Sequence, residues 1–333
     1  TENKHRKAVI NAPGLHVVVA ACTCKRPEGL ARLLGGLAVQ AYHSIDPPQI
    51  EILIVDNEGS RVTQTICERF AQGNTGIPIN LVNEPVRGIS FARNTVLDNV
   101  PASCDFLAMI DDDELPDPYW LEQLLITQST TGYEIIRGPD IPVYPPHTPE
   151  WVLEGAYFGW PGADSVLVDG QAMSTSSTSN VLVKNSCLVA SGVRFDTELS
   201  LTGGEDIVFF NELKKQGCRI GYSAHAVVKE YIPDSRLTRM ALMRLSYRYG
   251  NNKLSKQSRL NPNGVTWKSL MGLSLSLIVS SLRHIFMGVA YTLRSLLPFY
   301  RKRGYYFHGL IRAARGVGQL TSLIGLSYKY YKS

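Results

Sequence analysis

Asp111, Asp112, Asp113 and Glu114 stand in a row at the end of the apolar run Phe106-Leu-Ala-Met-Ile110. Adjacent carboxylates repel one another, and a divalent cation relieves that repulsion through hard oxygen ligands. The same acids could cap a following helix, favoured by its dipole, but a single Asp would suffice for that. A second acidic pair, Glu205-Asp206, stands behind Gly203-Gly204, where the backbone is able to approach a ligand closely. A carboxylate at that point suits a general base acting on a hydroxyl, or an acid in the first turn of a helix. Thr23, Asp56 and Arg93 complete the set of polar residues near the ends of apolar runs. Together with the acids they would form a pocket for a nucleoside diphosphate bridged by a metal, with an acid for the base or ribose and a cation for the phosphates. Taken singly, Asp56 suits a turn and Arg93 a surface ion pair. Glycine-rich phosphate loops of the dinucleotide and P-loop types are missing, which disfavours dehydrogenases and P-loop ATPases.

Positioning these groups requires a sheet. The run 106–110 has the continuous apolar character of a buried parallel strand. Its carboxyl end delivers the acids to the rim where open α/β sheets hold ligands. Similar runs predict strands at 16–22, 50–55 and 77–82. Helical spacing covers 28–42, 61–71 and 88–97, with Ser90 as candidate cap, and resumes at Trp120, Leu121, Leu124 and Leu125. Strand and helix alternate at short intervals, so a doubly wound parallel sheet is expected. Beyond residue 138, Pro139, Pro142, Pro145, Pro146 and Pro149 mark an extended insert that carries Trp151, Tyr157, Phe158 and Trp160, and 170–180 is polar and Ser/Thr-rich. Loops of this length are commonly lids or binding loops. A strand is expected at 179–184, a helix at 207–215 and one or two strands within 219–228.

The 333 residues, 44% hydrophobic and 19% charged, suit one large globular domain or two smaller ones. The net charge of +5 hides a division: residues 236–333 carry seventeen Lys or Arg and no Asp or Glu, which leaves the first 235 at a formal −12. Such a split implies two parts, 1–235 and 236–333, with different partners. Arg239, Met240, Met243, Arg244, Tyr247 and Arg248 predict a basic helix. An apolar run of 14 residues at 269–282 is cut by Arg283-His284 before 285–293 resumes. Fourteen is too short to span a bilayer and suits an interfacial or re-entrant helix. Trp267, Tyr291, Tyr300, Tyr305, Tyr306 and Arg301-Lys302-Arg303 flank these runs, as expected at an anionic lipid headgroup boundary. A helical hairpin packed on the first domain is the alternative, and the apolar content argues against nucleic acid. The six cysteines are scattered in apolar runs, which suits reduced buried thiols in a cytosolic compartment. Cys22 and Cys24 have no second pair to complete a zinc site. The basic segment 1–7 lacks the apolar core of a signal peptide.

Five motifs in order carry a resemblance: Cys22-Thr23-Cys24-Lys25-Arg26-Pro27, Val55-Asp56-Asn57, Gly88-Ile-Ser-Phe-Ala-Arg93-Asn94, Ile110-Asp111-Asp112-Asp113-Glu114 and Gly203-Gly204-Glu205-Asp206. Over about residues 15–250 the chain resembles the family 2 glycosyltransferases. The resemblance implies a GT-A type α/β fold with a doubly wound, mostly parallel sheet, followed here by a basic helical membrane-associating region. It implies that Thr23 and Asp56 hold the nucleotide base, usually uracil, with Arg26 and Asp112 also at the nucleotide and Arg93 near ribose and diphosphate. Asp111 and Asp113 would form the Asp-x-Asp pair for Mg²⁺ or Mn²⁺, Asp113 being the direct ligand. Asp206 would be the base of an inverting transfer, with Glu205, Trp151, Trp160, Arg244 and Arg248 near the acceptor; either tryptophan suits core packing equally well. Where many members of the family have a late His, this chain reads Ala226-Val-Val-Lys229-Glu230-Tyr231, which puts an oxygen ligand, Glu230, at that place. His225 is expected on a strand without a metal role. Glu230-Tyr-Ile-Pro233 with Arg236, Arg244, Tyr247 and Arg248 resembles the bacterial exopolysaccharide branch, whose acceptors are often polyprenyl-diphosphate-linked saccharides at the cytoplasmic face of the inner membrane. The rival readings are a sugar-phosphate nucleotidyltransferase and an inactive nucleotide-sugar or lipid-binding module. The enzymatic reading requires Asp206 and the 111–113 acids to share one cleft.

Overall fold

Val17 to Ala21, Ile52 to Val55 and Leu107 to Ile110 are almost wholly shielded from solvent, as continuous apolar runs in the middle of a sheet should be. The computed structural model describes residues 14–73, 76–162, 166–260, 267–294, 303–326 and 328. The basic stretch 1–7, Tyr300, Arg301 and Lys302 lie outside the described residues, as do the side chains of Trp267, Arg303, Tyr305 and Tyr306. The elements run β1 His16–Thr23, α1 Pro27–Ala38, β2 Gln49–Asp56, α2 Arg61–Gln72, β3 Ile79–Asn83, α3 Ile89–Asn99, β4 Phe106–Met109, β5 Glu114–Pro116, α4 Trp120–Thr131, β6 Ile135–Arg137 and β7 Asp140–Val143. There follow α5 Glu150–Gly155, β8 Ala172–Met173, β9 Val181–Lys184, α6 Asn185–Ser191, α7 Glu205–Lys215, β10 Ile220–Tyr222, β11 Val228–Tyr231, α8 Arg239–Leu260, α9 Trp267–Arg294 and α10 Arg303–Leu323.

Contacts divide the chain into two units, one of Thr1–Pro142, Gly159–Thr197 and Phe209–Tyr231, the other of Val143–Phe158, Glu198–Val208 and Ile232–Ser333. In the first unit an eight-stranded sheet has the order β3-β2-β1-β4-β9-β6-β10-β8. Strands β3, β2, β1 and β4 are parallel, and so are β6 and β10. The expectation of a mostly parallel sheet is met. However, β9 lies antiparallel between β4 and β6, and β8 is an antiparallel edge. Side chains from α1, α2 and α4 cover one face, including the fully buried Leu30, Leu33 and Trp120. Those from α3, α6 and α7 cover the other, with Val96, Phe209 and Phe210 at its centre. A small second sheet, β5-β11-β7, stands beside the large one.

Three local expectations fail here. The N-cap of α3 is Gly88, at φ 136, and not Ser90, whose side chain is buried. Cys187 of α6 and Cys218 before β10 are joined as a disulfide with Cα atoms 6.6 Å apart, while Cys22, Cys24, Cys67 and Cys104 remain thiols. Thirty-one residues separate that pair, and only the fold brings them together. Cysteine usage therefore no longer argues for a reducing compartment. His225 also departs from expectation, because it is exposed in the connection between β10 and β11 rather than on a strand.

In the second unit, α10 packs between α8 and α9. Glycines allow the close approach: a Cβ on Gly288 would meet the Gly309 carbonyl, and one on Gly250 or Gly318 would overlap the backbone of the facing helix. Ser246 Oγ donates to Ile311 O at 2.8 Å, and Ser281 Oγ to Leu277 O at 2.7 Å. The expected break at Arg283-His284 does not occur. α9 runs through as one helix, of which Ser274–Arg294 is long and apolar enough to cross a membrane. Two polar residues interrupt an apolar run in sequence without costing a helix its backbone hydrogen bonds. Leu275, Ile278, Val279, Leu282, Phe286, Val289 and Leu293 are exposed at helical spacing along it.

Candidate active site

The register Thr23↔Asp56 and Ala20↔Met109 brings the carboxyl ends of β1, β2 and β4 to one edge. Ile110 N–H donates to Ala20 O at 3.2 Å, and from there the chain turns through Asp111 to Glu114. Glu114 clamps that turn: its Oε2 accepts the Asp111 N–H at 2.9 Å, and its own N–H donates to Asp111 O at 3.1 Å. Only 2% of Glu114 is exposed, and burial pushes its carboxyl well above the ordinary range, with Asp140 and Asp111 adding to the effect. Sequence reasoning gave Glu114 no separate role, although the spacing Asp-x-x-Glu is that of a reciprocal capping pair.

One guanidinium gathers the acids. Arg26 Nη1, at the entry to α1, donates to Asp112 Oδ1 at 2.8 Å and to Asp113 Oδ2 at 2.7 Å. Thr23 Oγ1 donates to Asp112 Oδ2 at 2.8 Å. The first turn of α1 comes so close that a Cβ on Gly29 would overlap the Asp112 carbonyl oxygen. Arg93 of α3, 7% exposed, places Nη2 3.7 Å from Asp111 Oδ1. Asp56 ends β2 and accepts the N–H groups of Glu58 and Ser60 at 2.9 and 2.7 Å, the geometry of a turn former. Asn57 fixes the approach to α3 by donating to Glu84 O and Val86 O and accepting from Gly88 N–H. Burial pushes the Cys22 thiol up to about 12, so it stays protonated and does not compete as a nucleophile.

Strand β11 closes the rim. Tyr231 N–H donates to Asp113 O at 2.9 Å, and Glu230 stands across from Glu114 in the antiparallel pair. Among the described residues, no three His, Cys, Asp or Glu side chains are already gathered to hold a metal, so Asp111, Asp113 and Glu230 do not form a ready-made cage. The donor chemistry nevertheless fits Mg²⁺ or Mn²⁺. Such ions are commonly held by one or two carboxylates and completed by substrate phosphates and water. A cavity of about 140 Å³ lined by Leu15, Ile45, Phe106 and Leu125 opens at the opposite, amino-terminal edge of the strands, away from this chemistry.

The remaining candidates belong to the second unit or to the insert. Gly203 and Gly204 take φ values of 85° and 92° immediately before α7. Asn252 of α8 donates to the carbonyls of Thr202 and Gly203 and so anchors this turn. Asp206 is partly exposed, and its Oδ1 accepts the Ile207 N–H at 2.7 Å; Glu205 is 5% exposed. Arg248 lies beside Gly203, and Arg244 is exposed on α8. Trp151 packs edge-on against Phe307 at 4.7 Å and beside Tyr157, within the apolar cluster of this unit. Trp160 belongs to the first unit, where its ring covers the Arg137 guanidinium at 3.7 Å.

Burial pushes the Asp112 carboxyl up to about 6 although Arg26 pulls it down; Asp113 adds to the rise. The folded value thus exceeds the ordinary one near 4, and between those pH values the native state binds more protons than the unfolded one. Stability therefore falls as pH rises from about 4 to about 6, by at most about 3 kcal/mol for two units. Urea denaturation in EDTA at pH 4.5 and 7.5 should show Asp112→Asn losing less stability than the wild type across that interval. An equal loss in both proteins would contradict the buried, ionisable carboxyl.

Residues 17–162 match the family model for glycosyl transferase family 2. The succinoglycan biosynthesis protein ExoM of Rhizobium meliloti (strain 1021) is 33% identical over 236 residues, which cover 71% of this chain and 73% of ExoM. Among solved structures, the mannosyltransferase PcManGT of Pyrobaculum calidifontis, in complex with GDP-Man and Mn²⁺, superposes with a TM-score of 0.56 at 18% identity over 91% of this chain and 86% of that one. S. aureus TarS 1-349, in complex with UDP-GlcNAc, does so with a TM-score of 0.50 at 14% identity over 95% and 93%. These two likenesses concern the fold. The sheet order, the acidic turn at its carboxyl edge and the extent of the match to ExoM lead to one assignment: the chain belongs to glycosyltransferase family 2 and has the GT-A fold.

Proposed function

We propose that this protein transfers a sugar, with inversion, from a UDP-linked donor to a hydroxyl of a polyprenyl-diphosphate-linked saccharide during exopolysaccharide synthesis. The observation that carries the reading is the turn Asp111–Glu114, where three carboxylates are held at the carboxyl edge of a parallel sheet with Arg26 and Arg93 against them. That ExoM takes part in succinoglycan biosynthesis, and that the two superposed proteins bind UDP-GlcNAc and GDP-Man, supports the acceptor and donor classes.

In this proposal Asp111 and Asp113 hold Mg²⁺ or Mn²⁺, with Glu230 as a further oxygen donor, and Thr23 and Asp56 meet the base. Each oxygen of Asp56 retains a second lone pair for a base N–H. The bound cation supplies neutralisation of the diphosphate charge. Arg26 exchanges its carboxylate partners for phosphate oxygens, while Arg93, buried and fixed beside Asp111, stabilises the negative charge that grows on the leaving group. Glu205, Trp151, Arg244 and Arg248 line the acceptor side. Asp206 takes the proton of the acceptor hydroxyl as its oxygen attacks the anomeric carbon opposite the departing diphosphate. One displacement inverts that carbon, without a covalent sugar intermediate.

Residues 1–235 are assigned the catalysis and residues 236–333 the attachment to the cytoplasmic face of the inner membrane. The apolar stripe of α9 and the wholly cationic balance of this region suit an anionic lipid surface. Replacing Leu282 and Phe286 together by Asp should weaken co-flotation of the full chain with anionic vesicles at least about fivefold; unaltered flotation would refute this attachment.

The base assignment has its own test. Asp206→Asn should bind UDP as the wild type does, while Mn²⁺-stimulated UDP release from the sugar nucleotide falls by about a thousandfold. Full turnover in that variant would remove Asp206 from the mechanism.

A further inference from the structure

Arg137 and Asp140, at the end of β6 and the start of β7, form an ion pair that the donor, metal and base roles leave unused. Arg137 Nη2 donates to Asp140 Oδ2 at 2.8 Å, and Ser179 Oγ donates to the same oxygen at 3.3 Å. The second atom of each group is left over: Asp140 Oδ1 and Arg137 Nε are buried without a hydrogen-bond partner. Asp140 is 7% exposed and Arg137 is 6% exposed. Buried polar atoms are rarely left so, because each destabilises the fold unless a partner arrives.

The pair is rigidly framed. Gly138 between them has no room for a Cβ, which would overlap Ala226 O and the Asn180 side chain. Asn180, fully buried, donates to Pro139 O at 2.9 Å and Ala226 O at 2.7 Å, and accepts Trp120 Nε1–H at 2.7 Å. Asp140 exchanges backbone hydrogen bonds with Trp160 at 2.6 and 2.9 Å, and the partly exposed Trp160 ring lies over the Arg137 guanidinium. Strand β7, which Asp140 opens, pairs with β11, whose other neighbour β5 begins at Glu114 of the acidic turn, so Asp140 stands on the same small sheet as that turn.

We propose that Arg137, Asp140 and Trp160 form the subsite for the sugar ring of the donor. A ring hydroxyl supplies both missing partners: its proton goes to Asp140 Oδ1, and its oxygen accepts from Arg137 Nε. Trp160 then offers an apolar face to the C–H groups of the ring. A site built in this way rejects a sugar whose hydroxyl is absent or turned the other way, because its buried polar atoms stay unpaired. Trp160 thereby serves the donor rather than the acceptor. The inference rests on the nucleotide-sugar reading above.

Calorimetry of the full chain with Mn²⁺ tests it, comparing UDP and GDP with UDP-glucose, UDP-galactose, UDP-N-acetylglucosamine and GDP-mannose. The wild type should bind one sugar nucleotide more tightly than the others and than its parent diphosphate. Asp140→Asn, and Arg137→Lys, which keeps a cation beside Oδ2 and deletes Nε–H, should hold the diphosphate within about twofold of wild type. Both should weaken the preferred sugar nucleotide at least about tenfold, as the loss of a buried hydrogen bond does. An unchanged preference in Arg137→Lys, or a parallel loss of diphosphate and sugar nucleotide in that variant, would overturn the subsite. If the wild type binds neither UDP nor GDP, the nucleotide-sugar reading fails first, and the subsite with it.

Discussion

Three consecutive carboxylates at the end of a buried strand are tolerable only if something nearby carries the opposite charge. Here the guanidinium of Arg26 bridges Asp112 and Asp113, and Arg93 approaches Asp111 from α3. The local structure follows from that requirement. α1 must start immediately beside the turn, and the glycine at position 29 permits it. Thr23 must end β1 next to Asp112, and Glu114 must fold back to hold the Asp111 N–H. A turn stabilised in this way has its negative charge balanced within the fold, by Arg26 and Arg93. Preorganised polar groups of this kind are where enzymes obtain much of their rate.

The balance at the rim is close. Burial disfavours the ionised form of Asp112 and outweighs the attraction of Arg26. Glu114 is pushed in the same direction, as is Asp140, up to about 6, chiefly by burial and further by Glu230 and Asp111. Removing Arg26 would leave Asp112 and Asp113 with less to offset their repulsion, so this residue has a structural duty. The basic residues beyond position 235 have no such acids in their own stretch of sequence, and Arg259 finds its partner in Glu198.

Much of the first unit was legible because a strand buried on both faces writes itself as a continuous apolar run. β1, β2 and β4 were found within about a residue, and with them the edge that carries Thr23, Asp56 and Asp111. Direction was not legible. Val181–Lys184 reads the same whether parallel or antiparallel, and its insertion between β4 and β6 is a tertiary event. The continuity of α9 was missed because Arg283 and His284 were read as a break, although an exposed Arg costs a helix little. Cys187 and Cys218 were too far apart in sequence to suggest a pair. Asp140 was hidden in a proline-rich stretch that reads as loop and Arg137 stands just before it, and only the unpartnered atoms of their ion pair draw attention to them. The two tryptophans of that stretch share a composition but not an environment: Trp151 packs on Phe307, Trp160 on Arg137.

The central claim is that the acidic turn receives the nucleoside diphosphate together with a divalent cation, and Asp113 is the residue on which it stands. UDP binding measured by calorimetry with Mn²⁺ and with EDTA, in the wild type and in Asp113→Ala, addresses it most directly. The account predicts that Mn²⁺ tightens UDP binding at least about tenfold in the wild type and leaves the variant at its metal-free affinity. A variant that retains the full Mn²⁺ enhancement would contradict it.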